Sequence, residues 1–113
     1  MHTKLEHLTS CLGEECGEIQ QMIGKISRFG ILEVYPKVGK TNWLRLRDEV
    51  HDLVAVWQMF CDEFDRNDEF DPSKLAKKKK RVEKYMAYAR EIGELEPQQK
   101  YKGLPPKEPS NDK

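Results

Sequence analysis

The stretch LEHLTSCLGEECGEIQQMIGKISRF, residues 5–29, decides the fold. Leu5, Leu8, Leu12, Glu15, Ile19, Met22, Ile26 and Phe29 recur at alternating spacings of 3 and 4, the period of one face of an α-helix. One seam position is therefore a glutamate. A carboxylate in an apolar stripe is costly unless something positive meets it. Glu18 follows Glu15 by one helical turn, so the two acids project side by side, and like charges so placed repel by roughly a few tenths of a kcal/mol even in water.

A second segment, DEVHD at residues 48–52, repeats the oddity. Leu46, Glu49, Leu53, Val56 and Phe60 keep the same spacing, and Asp52 follows Glu49 by one turn. Two such seams facing each other bring Glu15, Glu18, Glu49 and Asp52 to one point, where a hard divalent cation would neutralise them. The plain alternative is that these acids, with Glu14, are solvated helix residues, the ordinary condition of charged side chains. A single pair would not outweigh that alternative. Two pairs, each inside an apolar stripe, do.

Between the seams, Gly30 is placed to stop the first helix, and residues 31–40, with Pro36 and Gly39, lose the helical period and read as a loop. Thr41 or Asn42 caps a second helix running to about residue 64. Beside its seam lie Val50, Val54, Trp57, Cys61 and Phe64, a stripe wide enough to predict a central or interface position. Asp71-Pro72 marks a third helix start, an N-cap followed by proline at the first helical position. That helix is expected to reach about residue 95, with Leu75, Val82, Met86, Ala89 and Ile92 inward and Gly93 ending it. Gly13, Gly17 and Gly24 each cost the first helix about 1 kcal/mol relative to alanine, which suggests close approach by a backbone or ligand, or else mere exposure.

The expected architecture is an all-α, oligomeric helical bundle, with one helical domain over residues 1–96 and an extended, proline-bearing tail over 97–113. At 113 residues the chain has the length of one domain. Twenty basic and twenty acidic residues cancel, so no global field draws it to nucleic acid or a membrane. Three cysteines without paired CxxC spacing fit a reducing compartment. With no signal-peptide core and no long apolar run, a cytoplasmic protein is expected.

The spacing is also a family signature. EECGE at residues 14–18 and EVHD at 49–52 match the EExxE…ExxD pattern, and the chain over about residues 5–90 resembles the MazG-like all-α nucleoside triphosphate pyrophosphohydrolases. The helix texture of LTSCLGEECGEIQQMIGKISRFG and TNWLRLRDEVHDLVAVWQM is most similar to short phage-encoded members, which would place it in a host cytoplasm. The gap between the motifs, residues 19–48, is long for that family. The resemblance implies hydrolysis of a (deoxy)nucleoside triphosphate to the monophosphate and pyrophosphate, by dimers or by tetramers built from dimers. By position, Glu15, Glu18, Glu49 and Asp52 correspond to ligands of two or more Mg²⁺ ions, with Mn²⁺ as a substitute. Glu14 or Glu18 would orient or deprotonate the attacking water. Resemblance to phage proteins that reshape the deoxynucleotide pool favours a purine deoxynucleotide such as dGTP or dATP. The alternatives are a phosphoribosyl-ATP pyrophosphohydrolase and a non-catalytic helical interaction module.

Substrate contacts are read more loosely. In the basic run at 77–81, Lys78 and Lys79 fall one turn after Leu75 and so turn toward the expected packed side, where Lys79 is the better placed to reach phosphate. A solvated face is the plain alternative. Lys25, Arg28 and Lys40 near the first loop are further candidates. Asn42 is expected to act as a helix cap; the phage proteins that the chain resembles carry an asparagine here, which implies nucleotide contact as the alternative. Phe29, Tyr35, Trp43 and Trp57 are available for stacking on a base, but an aromatic at helical spacing is more often core, and Trp57 is read as core. His51 lies two residues from Glu49, on another face, and does not form a di-iron ExxH pair.

Overall fold

The computed structural model describes residues 1–65 and 70–97. Among these residues are three α-helices, α1 (Lys4–Phe29), α2 (Asn42–Asp62) and α3 (Pro72–Glu91), and no strand beyond an isolated bridge between Val34 and Thr41. The chain is all-α, as the periodicity predicts. It parts into two compact units, Met1–Asp68 and Glu69–Lys113. The predicted tail lies, apart from Pro97, outside the described residues.

The first unit is an antiparallel pair of helices. The Thr3 hydroxyl caps α1 by accepting the Glu6 N–H at 3.1 Å, and Gly30, at φ +95°, ends it while its own N–H returns to the Ile26 carbonyl at 2.8 Å. The predicted seam is the packed face: Leu8 and Met22 are buried, and Leu5, Leu12, Glu15, Ile19 and Ile26 are half-buried. From α2, Leu44 and Cys61 complete the core, with Leu46, Glu49, Leu53, Val56 and Phe60 half-buried along the matching seam. An ion pair between Lys4 and Glu63 at 3.0 Å joins the start of α1 to the end of α2. A Cβ at Gly13, Gly17 or Gly24 would meet nothing within 4 Å, so among the described residues no close approach explains those glycines.

Asn42 departs most from its sequence reading. Thr41 is the cap, its hydroxyl accepting the Leu44 N–H at 3.2 Å, and Asn42 is the first helical residue, with no exposed surface at all. Its side-chain amide donates to the Gly30 carbonyl at 2.9 Å and to Glu33 Oε1 at 3.3 Å. The backbone N–H groups of Asn42 and Trp43 donate to the Glu33 and Ile31 carbonyls at 3.0 and 2.9 Å. The loop thus satisfies the amides that a helix start leaves open. Asn42→Ala is expected to destabilise the fold by about 1–3 kcal/mol, because buried polar groups lose their partners. A urea midpoint equal to that of the wild type would remove this role.

The end of α2 tightens into a turn over Glu63, Phe64 and Asp65, two residues earlier than the apolar pattern implies, with Phe64 N–H on the Cys61 carbonyl at 3.0 Å. In the second unit, Asp71 caps α3 through Oδ1, which accepts the Ser73 and Lys74 N–H groups at 2.9 and 3.4 Å. The helix stops at Glu91, before the expected residue 95, and Gly93 adopts φ +81° just beyond. α3 buries none of its residues. Leu75, Val82 and Met86, expected inward, are 46%, 43% and 38% exposed. Within the second unit α3 has no packed side for Lys78 and Lys79 to turn toward, and both are exposed.

Candidate metal centre

Glu15 on α1 and Glu49 and Asp52 on α2 converge: one carboxylate oxygen from each lies within 4.8 Å of the others. The two facing seams produce this geometry, Glu15 and Glu49 being half-buried where apolar residues would otherwise meet and Asp52 standing at the exposed rim. Burial, and then the charges of Asp52, Glu18 and Glu14, push the Glu15 carboxyl above the ordinary carboxylate range. Burial likewise leads for Glu49, followed by Asp52, Glu18, Glu15 and Asp48. Desolvation and like charge act in the same direction on both carboxyls.

Glu15 Oε2 is the decisive detail. It is buried and has no hydrogen-bond partner among the described residues. A buried carboxylate oxygen left without a donor is expensive, and native folds retain one where a proton or an ion completes it. The donor set is carboxylate oxygen only, the preference of a hard divalent cation such as Mg²⁺ or Mn²⁺. The residues present fit that group.

Compared with family profiles, with curated proteins and with solved structures, the chain matches none.

Of the predicted acids, Glu18 stays outside the converging three. It is exposed, yet its charge bears on both Glu15 and Glu49, which sets it beside the cluster. Glu14 is exposed and bears on Glu15. His51 is exposed, its Nδ1 lying 2.9 Å from the Arg47 carbonyl one turn back, and is no part of the cluster. Lys40 is occupied by a surface ion pair with Asp48 at 3.1 Å. Arg28 is exposed, its guanidinium 5.5 Å from the centre of the Phe29 ring. Asn42, spent inside the loop, has no exposed group for a nucleotide. Lys79 lines a shallow groove on α3 with Ser73, Ala76, Lys77, Lys80 and Glu83, within the second unit.

Lys25 is better placed. It is half-buried and lines a cleft of about 240 Å³ with Phe29, Glu33, Tyr35 and Arg45. The Arg45 guanidinium sits 5.8 Å from the Tyr35 ring centre and donates to Asn42 Oδ1 at 3.5 Å. Sequence reasoning missed Glu33 and Arg45. Arg45 had a readable signal, since it precedes Glu49 by one turn on the same stripe. Glu33 had none, because its position depends on how the loop returns to Asn42. Trp57 stacks on Phe60 at 5.8 Å and 13°, a packing role rather than a base platform.

The raised carboxyls carry a pH signature. A carboxyl whose folded pKa exceeds its unfolded value favours the fold while protonated, below the unfolded value of about 4.3. That contribution is lost as pH rises through the raised value. Without metal, Glu15→Gln is therefore expected to be more stable than the wild type at neutral pH, the advantage closing as pH falls below the ordinary carboxylate range. Denaturation in chelator across pH, wild type against variant, reads it directly. A wild type more stable than the variant at neutral pH would contradict it.

Proposed function

We propose that this chain is a Mg²⁺-dependent nucleoside triphosphate pyrophosphohydrolase acting on a purine deoxynucleotide, dGTP or dATP, to give the monophosphate and pyrophosphate. The observation that carries the reading is the convergence of Glu15, Glu49 and Asp52 from two helices around an unpartnered buried oxygen. The EExxE…ExxD spacing adds to it.

Glu15, Glu49 and Asp52 would hold the ions. When bound, the ions offset carboxylate and phosphate charge and acidify water. Glu18, exposed and with its charge bearing on both half-buried acids, would take the proton from the attacking water; Glu14 bears on Glu15. The water oxygen adds to the α-phosphorus, the bond from that phosphorus to the α–β bridging oxygen breaks, and pyrophosphate departs with that oxygen. Arg45 precedes Glu49 by one turn, and Lys25 follows Glu18 by two turns.

The active species is a homo-oligomer, dimer or tetramer. Val50, Met59 and Phe64 on α2 are 43%, 50% and 54% exposed, and a second copy would cover them. Light scattering at micromolar concentration is expected to return a multiple of the 13.3 kDa chain mass. A mass near one chain would remove this claim.

A non-catalytic interaction module is the second reading, favoured by α3, which exposes both its apolar stripe and its lysines. Screening all ribo- and deoxynucleoside triphosphates with Mg²⁺ separates the two. Turnover with a purine deoxynucleotide preferred supports the enzyme, a pyrimidine ahead by about tenfold, some 1.4 kcal/mol, overturns the purine assignment, and no turnover supports the module.

A further inference from the structure

The cleft lined by Lys25, Phe29, Glu33, Tyr35 and Arg45 has no role in the phosphate chemistry, yet it lies on the same stripes as the acids. Lys25 follows Glu18 by seven residues, and Arg45 precedes Glu49 by four, so the cleft begins about 6–10 Å along the helices from the acid cluster. At about 240 Å³ it is small beside the roughly 300–1,000 Å³ that holds a drug-sized ligand, and suits a single planar ring system rather than a whole nucleotide. Its walls are two aromatics, two cations and one carboxylate.

The carboxylate is the informative member. Glu33 is half-buried in the loop and fixed there by Asn42, whose amide donates to Oε1 at 3.3 Å, itself anchored on the Gly30 carbonyl at 2.9 Å. Its other oxygen has no donor among the described residues, and the Lys25 amine has no ion pair among them. A positioned acceptor beside aromatic rings is what recognition of an N–H donor on a base edge requires. Stacking alone tolerates any base, and polar groups at the edge decide between them.

We propose that this cleft receives the base of the substrate nucleotide, and that Glu33 selects bases bearing an exocyclic amino group. The proposal rests on the nucleotide reading of the acid cluster. Adenine, guanine and cytosine each turn an amino group toward a carboxylate. Uracil and thymine offer one N–H flanked by two carbonyl oxygens, which the Glu33 carboxylate repels. Tyr35 and Phe29 supply the stacking surface, and Lys25 and Arg45 face ring acceptors.

The test compares kcat/KM for dATP, dGTP, dCTP, dTTP and dUTP in the wild type, Glu33→Gln and Tyr35→Ala, with Mn²⁺ affinity measured in each. The wild type should favour its best amino-bearing substrate over dTTP and dUTP by at least about tenfold, since a site built for a hydrogen bond rejects analogues lacking it. In Glu33→Gln, whose amide can donate to a base carbonyl, that ratio should collapse to about threefold or less with Mn²⁺ affinity unchanged. Tyr35→Ala, a substitution at an exposed position, should lower kcat/KM for every substrate through KM; should Glu33→Gln fail to fold, it decides alone. Wild-type preference for dTTP or dUTP, or a profile that neither variant moves by more than about twofold, overturns the cleft assignment while leaving the nucleotide reading intact. Absence of turnover with every nucleotide by the wild type overturns the nucleotide reading, and this assignment with it.

Discussion

Glu49→Gln is expected to reduce hydrolysis by more than about 100-fold at saturating Mg²⁺ while leaving the helical fold in place. Substituting residues that only support a metal ligand costs roughly 10–100-fold in affinity or activity, and removing a ligand costs at least as much. Glu49 is half-buried, opposite Glu15, and already strained by burial and by the charges of Asp52, Glu18 and Glu15. Glutamine keeps its shape and removes its charge, so the variant loses cation affinity without opening a cavity. Helical circular dichroism should be unchanged. Near wild-type turnover under saturating Mg²⁺ would show that the converging carboxylates are not the working site. Glu15→Gln should behave in the same way, with the added gain in metal-free stability at neutral pH.

Mg²⁺ or Mn²⁺ is expected to raise the melting temperature by on the order of 10 °C at one hundred times the dissociation constant. A ligand bound only by the folded state adds RT ln(1 + [L]/Kd), about 2.7 kcal/mol at that concentration. For a domain of this size 1 kcal/mol moves the melting temperature by roughly 4–8 °C. The expected gain has two physical sources: a bound cation would relieve repulsion among Glu15, Glu49 and Asp52, and would give the unpartnered Glu15 oxygen a partner. It should vanish in Glu15→Gln and persist in Tyr35→Ala. A melting temperature indifferent to divalent metal would instead favour the interaction module.

The acids were legible because a carboxylate in an apolar stripe violates the pattern around it. The 3-and-4 spacing alone puts Glu15 and Glu49 on facing seams, and Asp52 follows one turn on. The caps Thr3 and Thr41 act locally, as does Asp71 before Pro72, and short-range chemistry of that kind survives in sequence. Asn42 reads as a cap from its neighbours, yet its burial is set by a loop whose carbonyls return to the α2 start. Glu33 and Arg45 meet only through that same return. For α3, an amphipathic stripe predicts a packed face, but period alone does not say what covers it: Leu75, Val82 and Met86 stand exposed along with Lys78 and Lys79. The division of the chain at residue 68 had no signal beyond a short acidic, mixed stretch.

The most direct measurement is ³¹P nuclear magnetic resonance of the wild-type chain incubated with dGTP or dATP and Mg²⁺. The account predicts loss of the triphosphate signals with equal amounts of deoxynucleoside monophosphate and pyrophosphate appearing together, and no reaction when Mg²⁺ is chelated. Inorganic phosphate as the sole phosphate released, or an unchanged triphosphate in the presence of Mg²⁺, would contradict it.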